Sequence, residues 1–363
     1  MSMKRFGALV LVFLVLFLAA CGGGAEEPTP TPVPTPTATP RPTPTPEPTP
    51  EPTPTPWTGP RNPLTGEPVE EDISTQRPFA ILLNNLQLAL PQDGLSRADI
   101  IYELPVEGGI TRILAVFQDM EDVGVIGPVR SVRDYFVDIV QAHDAIFVFA
   151  GGSPAGYAAA RNRGVPHIDG VLGSGREFFR DQGRANRAGF EHSLMTSSEL
   201  LLANIGNHNF RMEHQDGFDT GLVFVYDAAP MDGQAAHEVT VRFSNVKTGV
   251  FTFDEETGLY RVSQFSNPHI DGATGEQLQV RNVLVLYATF WVADNYGRLG
   301  VNLNLGGEGY FISGGYVVPI LWTKGSHSEP FLYTLMDGTP LELAVGQTYV
   351  NIINVNTGEV TIT

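Results

Sequence analysis

The chain has 363 residues, a formal charge of −18 and a single cysteine, Cys21. That charge repels nucleic-acid phosphates and anionic lipid head groups, so no nucleic-acid partner is expected. With the one thiol near the N-terminus, disulfides, a cysteine nucleophile and thiolate metal sites are excluded from the rest of the chain.

The sequence opens with Lys4 and Arg5, followed by an apolar run from Phe6 to Ala20. The run is short of the roughly 20 residues of a membrane span and suits the apolar region of a secretory signal. It ends Leu18-Ala19-Ala20-Cys21, and small residues before a cysteine resemble a bacterial lipobox. Residues 1–21 are therefore expected to be a lipoprotein signal, with Cys21 carrying palmitate-type acyl chains and the membrane reached through that anchor. Residues 22–61 are expected to form a stalk, nearly all Thr-Pro from Pro28 to Pro60. Proline fixes φ and removes N–H donors, which leaves extended polyproline II reaching on the order of 100 Å.

Beyond the stalk about 300 residues remain, more than one core usually serves, so two domains are expected. In the first, residues 62–221, Phe79–Leu83, Ile100–Val106, Ile113–Phe117 and Ala145–Ala150 read as strands. Ser131–Ala142, Pro154–Arg163 and Ser197–Ile205 read as helices, the second stopped by Gly164. In the second, residues 222–363, the texture turns to β. Val239–Phe243, Val250–Phe253, Leu259–Ser263, Val283–Val292, Val301–Leu305, Gly315–Trp322 and Thr348–Ile353 read as strands between Gly-rich turns. The expected class is α+β, a mixed α/β domain followed by a mainly β one.

Four motifs bear on chemistry. Gly151-Gly152-Ser153-Pro154-Ala155 follows a strand and opens a helix, as a nucleophile elbow does. An elbow's oxyanion hole needs the N–H of the residue after Ser, and Pro154 has none. Ser153 is therefore read as an N-cap and Pro154 as the first helical residue. In Gly127-Pro128-Val129-Arg130-Ser131-Val132-Arg133, two arginines sit at a helix start, where free N–H groups already attract an anion. Cations oppose the dipole there unless an anion joins them. The alternatives are a bound ligand or internal pairing with Glu103, Glu107 or Asp134. His167 and Asp169 are two apart, so on a strand they would share one face, and His192 follows Glu191; these suit acid–base work or ligand contact. No His-Glu-x-x-His spacing occurs, and neither a metal nor a cofactor is expected. Glu103 and Glu107 flank the turn at Gly108-Gly109, ahead of Arg112. Paired carboxylates suit glycoside chemistry and equally an ion pair with Arg112 or Arg130.

Several longer motifs occur in order: Asn62-Pro63-Leu64-Thr65-Gly66, Arg77-Pro78-Phe79-Ala80, Leu95 through Glu103, Glu107 through Arg112, Ile126 through Ser131, and Gly151 through Pro154. Together they resemble the YerB-like lipoproteins, a domain family of unknown function numbered 3048. Tyr260-Arg261, Pro268-His269-Ile270-Asp271, Asn282-Val283 and Trp322-Thr323-Lys324 suggest its C-terminal companion domain. One departure stands in the first domain: the family tends to show Pro-His-Asn where this chain has Glu191-His192-Ser193. The resemblance implies a lipoprotein setting and a two-domain plan, and no reaction. The expectation is thus a non-catalytic, extracytoplasmic protein of the cell envelope. It would bind cell-wall glycan, another anionic ligand or an envelope protein near Glu103, Glu107, Arg112, Arg130, Arg133, His167, Asp169 and His192. The alternative is a hydrolase or transglycosylase acting on cell-wall polymer, with Glu103 or Glu107 as acid.

Overall fold

A computed structural model describes residues 57–363 apart from 227 and 231. The expected signal, Cys21 and stalk residues 22–56 lie outside the described residues. The last stalk residues fold against the body. Arg61 donates to the Gly66 carbonyl at 2.8 Å and to the Tyr226 hydroxyl at 3.1 Å.

The apolar runs of the first segment form strands β1 (Phe79–Asn84), β2 (Ile100–Pro105) and β3 (Thr111–Phe117), paired antiparallel in the order 2-3-1. After the short β4 (Val125–Ile126) comes helix α1 (Asp134–Ala142), then β5 (Ile146–Phe149), helix α2 (Pro154–Asn162) and β6 (His167–Asp169). Strand β5 runs parallel to both β1 and β6, with helices as crossovers. Helix α1 begins three residues later than expected. Arg133 is its N-cap, with extended backbone at φ −118° and ψ 154°. Helix α2 starts as read from sequence. Ser153 Oγ accepts the Gly156 N–H at 3.0 Å, and Pro154 takes the first position. Four further elements follow: β7 (Phe178–Arg180), α3 (Gln182–Ala188), β8 (Leu194–Ser197) and α4 (Ser198–Asn204). Strands β4, β8 and β7 make a small separate sheet.

The main sheet does not stop at β2. Strand Thr348–Asn354 lies parallel to β2 on one side and to Asn282–Val292 on the other. Gly307–Ser313 and Tyr316–Thr323 continue it into a twelve-stranded sheet. Segments 62–221 and 222–363 therefore share one sheet, and residues Pro56–Thr363 form one compact unit. A second, six-stranded sheet is built from further strands of the second segment, among them Glu238–Arg242, Thr248–Asp254 and Leu259–Gln264. The class is α+β, with the helices in the first segment and the second mainly β.

Alternation along the strands sorts the core into two faces. Ala80, Leu82, Tyr102 and Leu104 face one way and pack with Tyr135, Phe136, Ile139 and Val140 of α1. Ile81, Leu83, Ile101 and Ile113 face the other way and pack with Val239, Val241, Phe251 and Val262 of the six-stranded sheet. Burying each such side chain stabilises by about 1.5–3 kcal/mol relative to exposure. Glu103 is two residues beyond Ile101, so it points between the two sheets. At the start of α2, a Cβ on Gly156 would stand 2.8 Å from the Val132 carbonyl oxygen. That close approach fixes α2 against the loop that carries Arg130 and Arg133.

Candidate functional site

The parallel strands β1, β5 and β6 all end on one edge of the sheet, the edge where open α/β sheets form ligand crevices. Asn84 ends β1, Gly151 follows β5 and Asp169 ends β6. Antiparallel β3 begins there, with Arg112 directly opposite Asn84. Residues 127–133 cross this edge on backbone bonds: the Arg130 N–H donates to the Leu82 carbonyl at 2.7 Å, and the Ala150 N–H to the Arg130 carbonyl at 2.9 Å. That crossing brings Arg130 and Arg133 close to Arg112, which donates to the Ser131 carbonyl between them in sequence.

Two of the three guanidiniums, Arg112 and Arg133, share one carboxylate, Glu107. Arg133 grips Glu107 with two donors, Nε at 3.0 Å from Oε2 and Nη2 against Oε1. Arg112, 5% exposed, donates from Nη1 to the Ser131 carbonyl at 2.6 Å and brings Nη2 to 3.8 Å from Glu107. The tight turn at Glu107–Gly109 aims Glu107 at them; Gly108 and Gly109 both hold φ of +75°, a region glycine enters freely. Arg130 donates to the Glu191 carbonyl at 2.9 Å, and Arg180 stacks on the Phe190 ring with its guanidinium 3.7 Å from the ring centre. His192 Nδ1 lies 2.7 Å from Asn84 Nδ2 and accepts its hydrogen, so the neutral ring carries its proton on Nε2.

The charge balance is positive. Burial, and then the neighbouring Arg133, push the Arg112 guanidinium down to about 9. Burial also lowers Arg130 and Arg180. Burial works against the charge of Glu107, but the Arg133 hydrogen bond and the charge of Arg112 outweigh it and hold the carboxyl below its ordinary range. Burial, together with Arg130, lowers His192 and keeps it neutral at pH 7. Four arginines therefore face two carboxylates, Glu107 and the exposed Glu191. A buried cation short of counter-charge is costly unless an anion completes it.

The expected site residues separate into three groups. Glu107, Arg112, Arg130, Arg133 and His192 come together at the sheet edge. Asp169 borders them in a scaffolding role: Oδ1 accepts the N–H groups of Gly151 at 2.8 Å and Val171 at 2.9 Å, and Oδ2 accepts the Tyr157 hydroxyl at 2.8 Å. His167 is stacked on Phe149, its Nδ1 2.8 Å from the Val165 carbonyl. Glu103 is elsewhere. It is 1% exposed and pairs with Lys247 at 2.9 Å, not with Arg112 or Arg130. Lys247, Asn84 and Arg180 escape the sequence reading because their roles come from long-range pairing that no local pattern encodes. Among the described residues, no group of three or more His, Cys, Asp or Glu side chains is arranged to hold a metal ion.

A groove of about 190 Å³ runs from Arg133 past Ser153 and Pro154 to Arg298 and Leu299 of the second segment. A larger hollow of about 620 Å³ lies at the C-terminal ends of α1 and α2. There too two guanidiniums share one carboxylate, Asp144 standing 3.0 Å from Arg77 and 2.8 Å from Arg211, while Arg163 pairs with Asp138. The arginine cluster at the sheet edge has the larger excess, four arginines against Glu107 and Glu191.

Residues 64–211 match the N-terminal domain, and residues 239–350 the C-terminal domain, of the family described as "Protein of unknown function (DUF3048)". The Bacillus subtilis (strain 168) protein named "Putative lipoprotein YerB" is 30% identical over 293 residues, covering 80% of this chain and 85% of that protein. A crystal structure of YerB from Bacillus subtilis matches with a TM-score of 0.72 at 26% identity, covering 83% of this chain and 99% of that one. The chain belongs to the DUF3048 family of YerB-like proteins, as its sequence motifs lead one to expect.

Proposed function

We propose that the protein is a lipoprotein held at the outer face of a membrane by Cys21, whose body binds an anionic ligand of the cell envelope at Arg112, Arg130 and Arg133. The anchor rests on the apolar run ending at Cys21 and on the name of the Bacillus relative. Among the described residues no helix is long and apolar enough to cross a membrane. The binding role rests on one observation, the buried Arg112 that shares its nearest carboxylate with Arg133. A phosphate or carboxylate accepting from these forks would supply the missing charge with charge-assisted hydrogen bonds.

The catalytic alternative draws less support. A glycosidase acid must be protonated near neutral pH. Burial opposes the charge of Glu103, but Lys247, Thr111 and Tyr349 outweigh it, so it too is held below the usual carboxylate range. Both glutamates are thus carboxylates, and one is sealed in the interior.

The test is calorimetric titration of the purified chain with inorganic pyrophosphate, together with co-sedimentation on insoluble cell-wall sacculi. Arg130→Ala and Arg133→Ala are each expected to weaken pyrophosphate binding tenfold or more, with the thermal transition retained. Absence of binding to both pyrophosphate and sacculi would sink the reading and point to a protein partner. Release of soluble fragments from sacculi would favour the enzyme.

A further inference from the structure

One enclosed nucleophile lies outside this site. Lys247 is 2% exposed, at the turn before strand Thr248–Asp254. Its Nζ is 2.9 Å from Glu103 Oε1 and 2.7 Å from Gln264 Oε1. The rings of Phe243 and Phe265 flank it with centres at 5.6 and 5.2 Å. Gln264 is 3% exposed, and its buried Nε2 has no hydrogen-bond partner. Immediately after it, Phe265 and Ser266 hold φ of +52° and +61°. Left-handed backbone at such residues costs on the order of 1–3 kcal/mol each and persists where the surroundings enforce it. Here it places the Phe265 ring beside the ammonium. An amine, a carboxamide and a carboxylate are packed together with water shut out.

We propose that Lys247 and Gln264 join in an intramolecular amide cross-link, made by the protein on itself with Glu103 carrying the proton. Glu103 takes one proton from the Lys247 ammonium. The freed amine attacks Cδ of Gln264, forming the C–N bond and a tetrahedral centre. Collapse of that centre requires Nε2 to swing from its unpartnered position to Glu103, which protonates it; the C–Nε2 bond then breaks and that nitrogen departs with its electron pair. The amine's surplus proton leaves by the same carboxylate. The products are a secondary amide, an ammonium ion and the Glu103 carboxylate restored, with no oxidant or cofactor consumed. Thr111, Asn85 and Tyr349 donate to Glu103 at 2.5, 2.9 and 2.6 Å. They favour the carboxylate, so the first transfer is uphill and the reaction slow. Preassembly offsets this, since oriented groups react as if at effective concentrations of about 10⁵–10⁸ M. The bond would tie the turn at Lys247 to the end of strand Leu259–Gln264 and discharge a buried lysine.

Mass spectrometry of the full chain, incubated after folding and then digested with trypsin, tests this. An acylated Lys247 resists trypsin, so residues 243–261 are expected as one peptide linked to residues 262–281. The linked pair should be lighter than the two peptides together by the mass of ammonia, about 17 Da. Gln264→Met, which keeps the volume and removes the acyl carbon, should abolish the link. Quantitative cleavage after Lys247 in the folded, incubated wild-type chain, with peptide 262–281 at its unmodified mass, would overturn the proposal whatever the variant does.

Discussion

The interior between the two sheets and the rim at the ends of β1, β5 and β6 each take a glutamate from the same strand and turn, but they settle its charge differently. Inside, Glu103 meets one cation, Lys247, and its remaining lone pairs are filled by Asn85, Thr111 and Tyr349. Four residues on, Glu107 meets Arg133 and Arg112 at a surface where further arginines stand close. A closed, one-to-one pair fixes a structure; an open excess of one sign leaves work for a ligand. The same loop of the second segment builds both. Ser244 donates to the Gly109 carbonyl and steadies the turn of Glu107, while Lys247, three residues later, reaches Glu103.

Breaking the interior pair should have the largest effect. Glu103→Gln, which also removes the proton carrier of the cross-link, leaves a buried ammonium without its counter-charge and is expected to cost about 3–5 kcal/mol in urea unfolding relative to freshly folded, unlinked wild type. Adding Lys247→Met should restore most of that loss. A double variant as unstable as the single one would mean that the pair is not the unit of stability here. Gly156→Ala comes next. Its Cβ would press on the Val132 carbonyl oxygen and push α2 away from the arginine loop, costing about 1–3 kcal/mol. Because the displaced loop carries Arg130 and Arg133, pyrophosphate affinity should fall along with the unfolding midpoint.

This division was only half visible in the sequence. The runs Phe79–Leu83, Ile100–Val106 and Ile113–Phe117 announce β1 to β3 because both their faces are buried and the residues are apolar throughout. The strand Gly307–Ser313 stays hidden, since Gly307 and Gly309 read as turn residues; in the sheet their missing side chains let it approach the Tyr287 and Val285 carbonyls. Strand β6 is three residues long, too short for any period to show. The rim was legible because arginines at a helix start conflict with the dipole, and that conflict is local. The Glu103–Lys247 pair was not. It joins residues 144 apart in sequence through the parallel pairing of Thr348–Asn354 with β2 and the packing of two sheets.

Acid should act through the buried histidines, His143 and His269 in the interior and His192 at the rim. Burial pushes His143 down to about 3 and His269 to about 4, while it pushes Asp99 up to about 7. Histidines with lowered values bind protons in the unfolded chain that the folded one refuses, so their contribution fades as pH falls below about 6.5. Asp99 has the opposite sign, holding its proton when folded across about pH 4 to 7. Two against one leaves the unfolded chain ahead by one proton from these groups. Stability should therefore rise by about 1.4 kcal/mol per pH unit between about pH 4 and 6.5. Urea midpoints across that range check it, and His269→Gln should lower the slope by about 1.4 kcal/mol per pH unit. A wild-type slope of the reverse sign would show that the carboxyls raised by burial, Asp99 with Asp93 and Asp134, dominate.

The smallest effect on stability should belong to the most informative substitution at the rim. Arg112→Met removes the bond to the Ser131 carbonyl, worth about 1 kcal/mol. It also removes a desolvated cation that the nearby charges of Arg133 and Arg130 disfavour, and these two changes oppose each other. The unfolding midpoint should move by less than about 1 kcal/mol, against the large loss for Glu103→Gln. Pyrophosphate affinity should drop at least tenfold, because a charge-assisted bond is worth about 1.5–3 kcal/mol. If Arg112→Met instead destabilises as strongly as Glu103→Gln while binding is unchanged, the rim is a structural ion network like the interior, and the contrast between the two glutamates disappears.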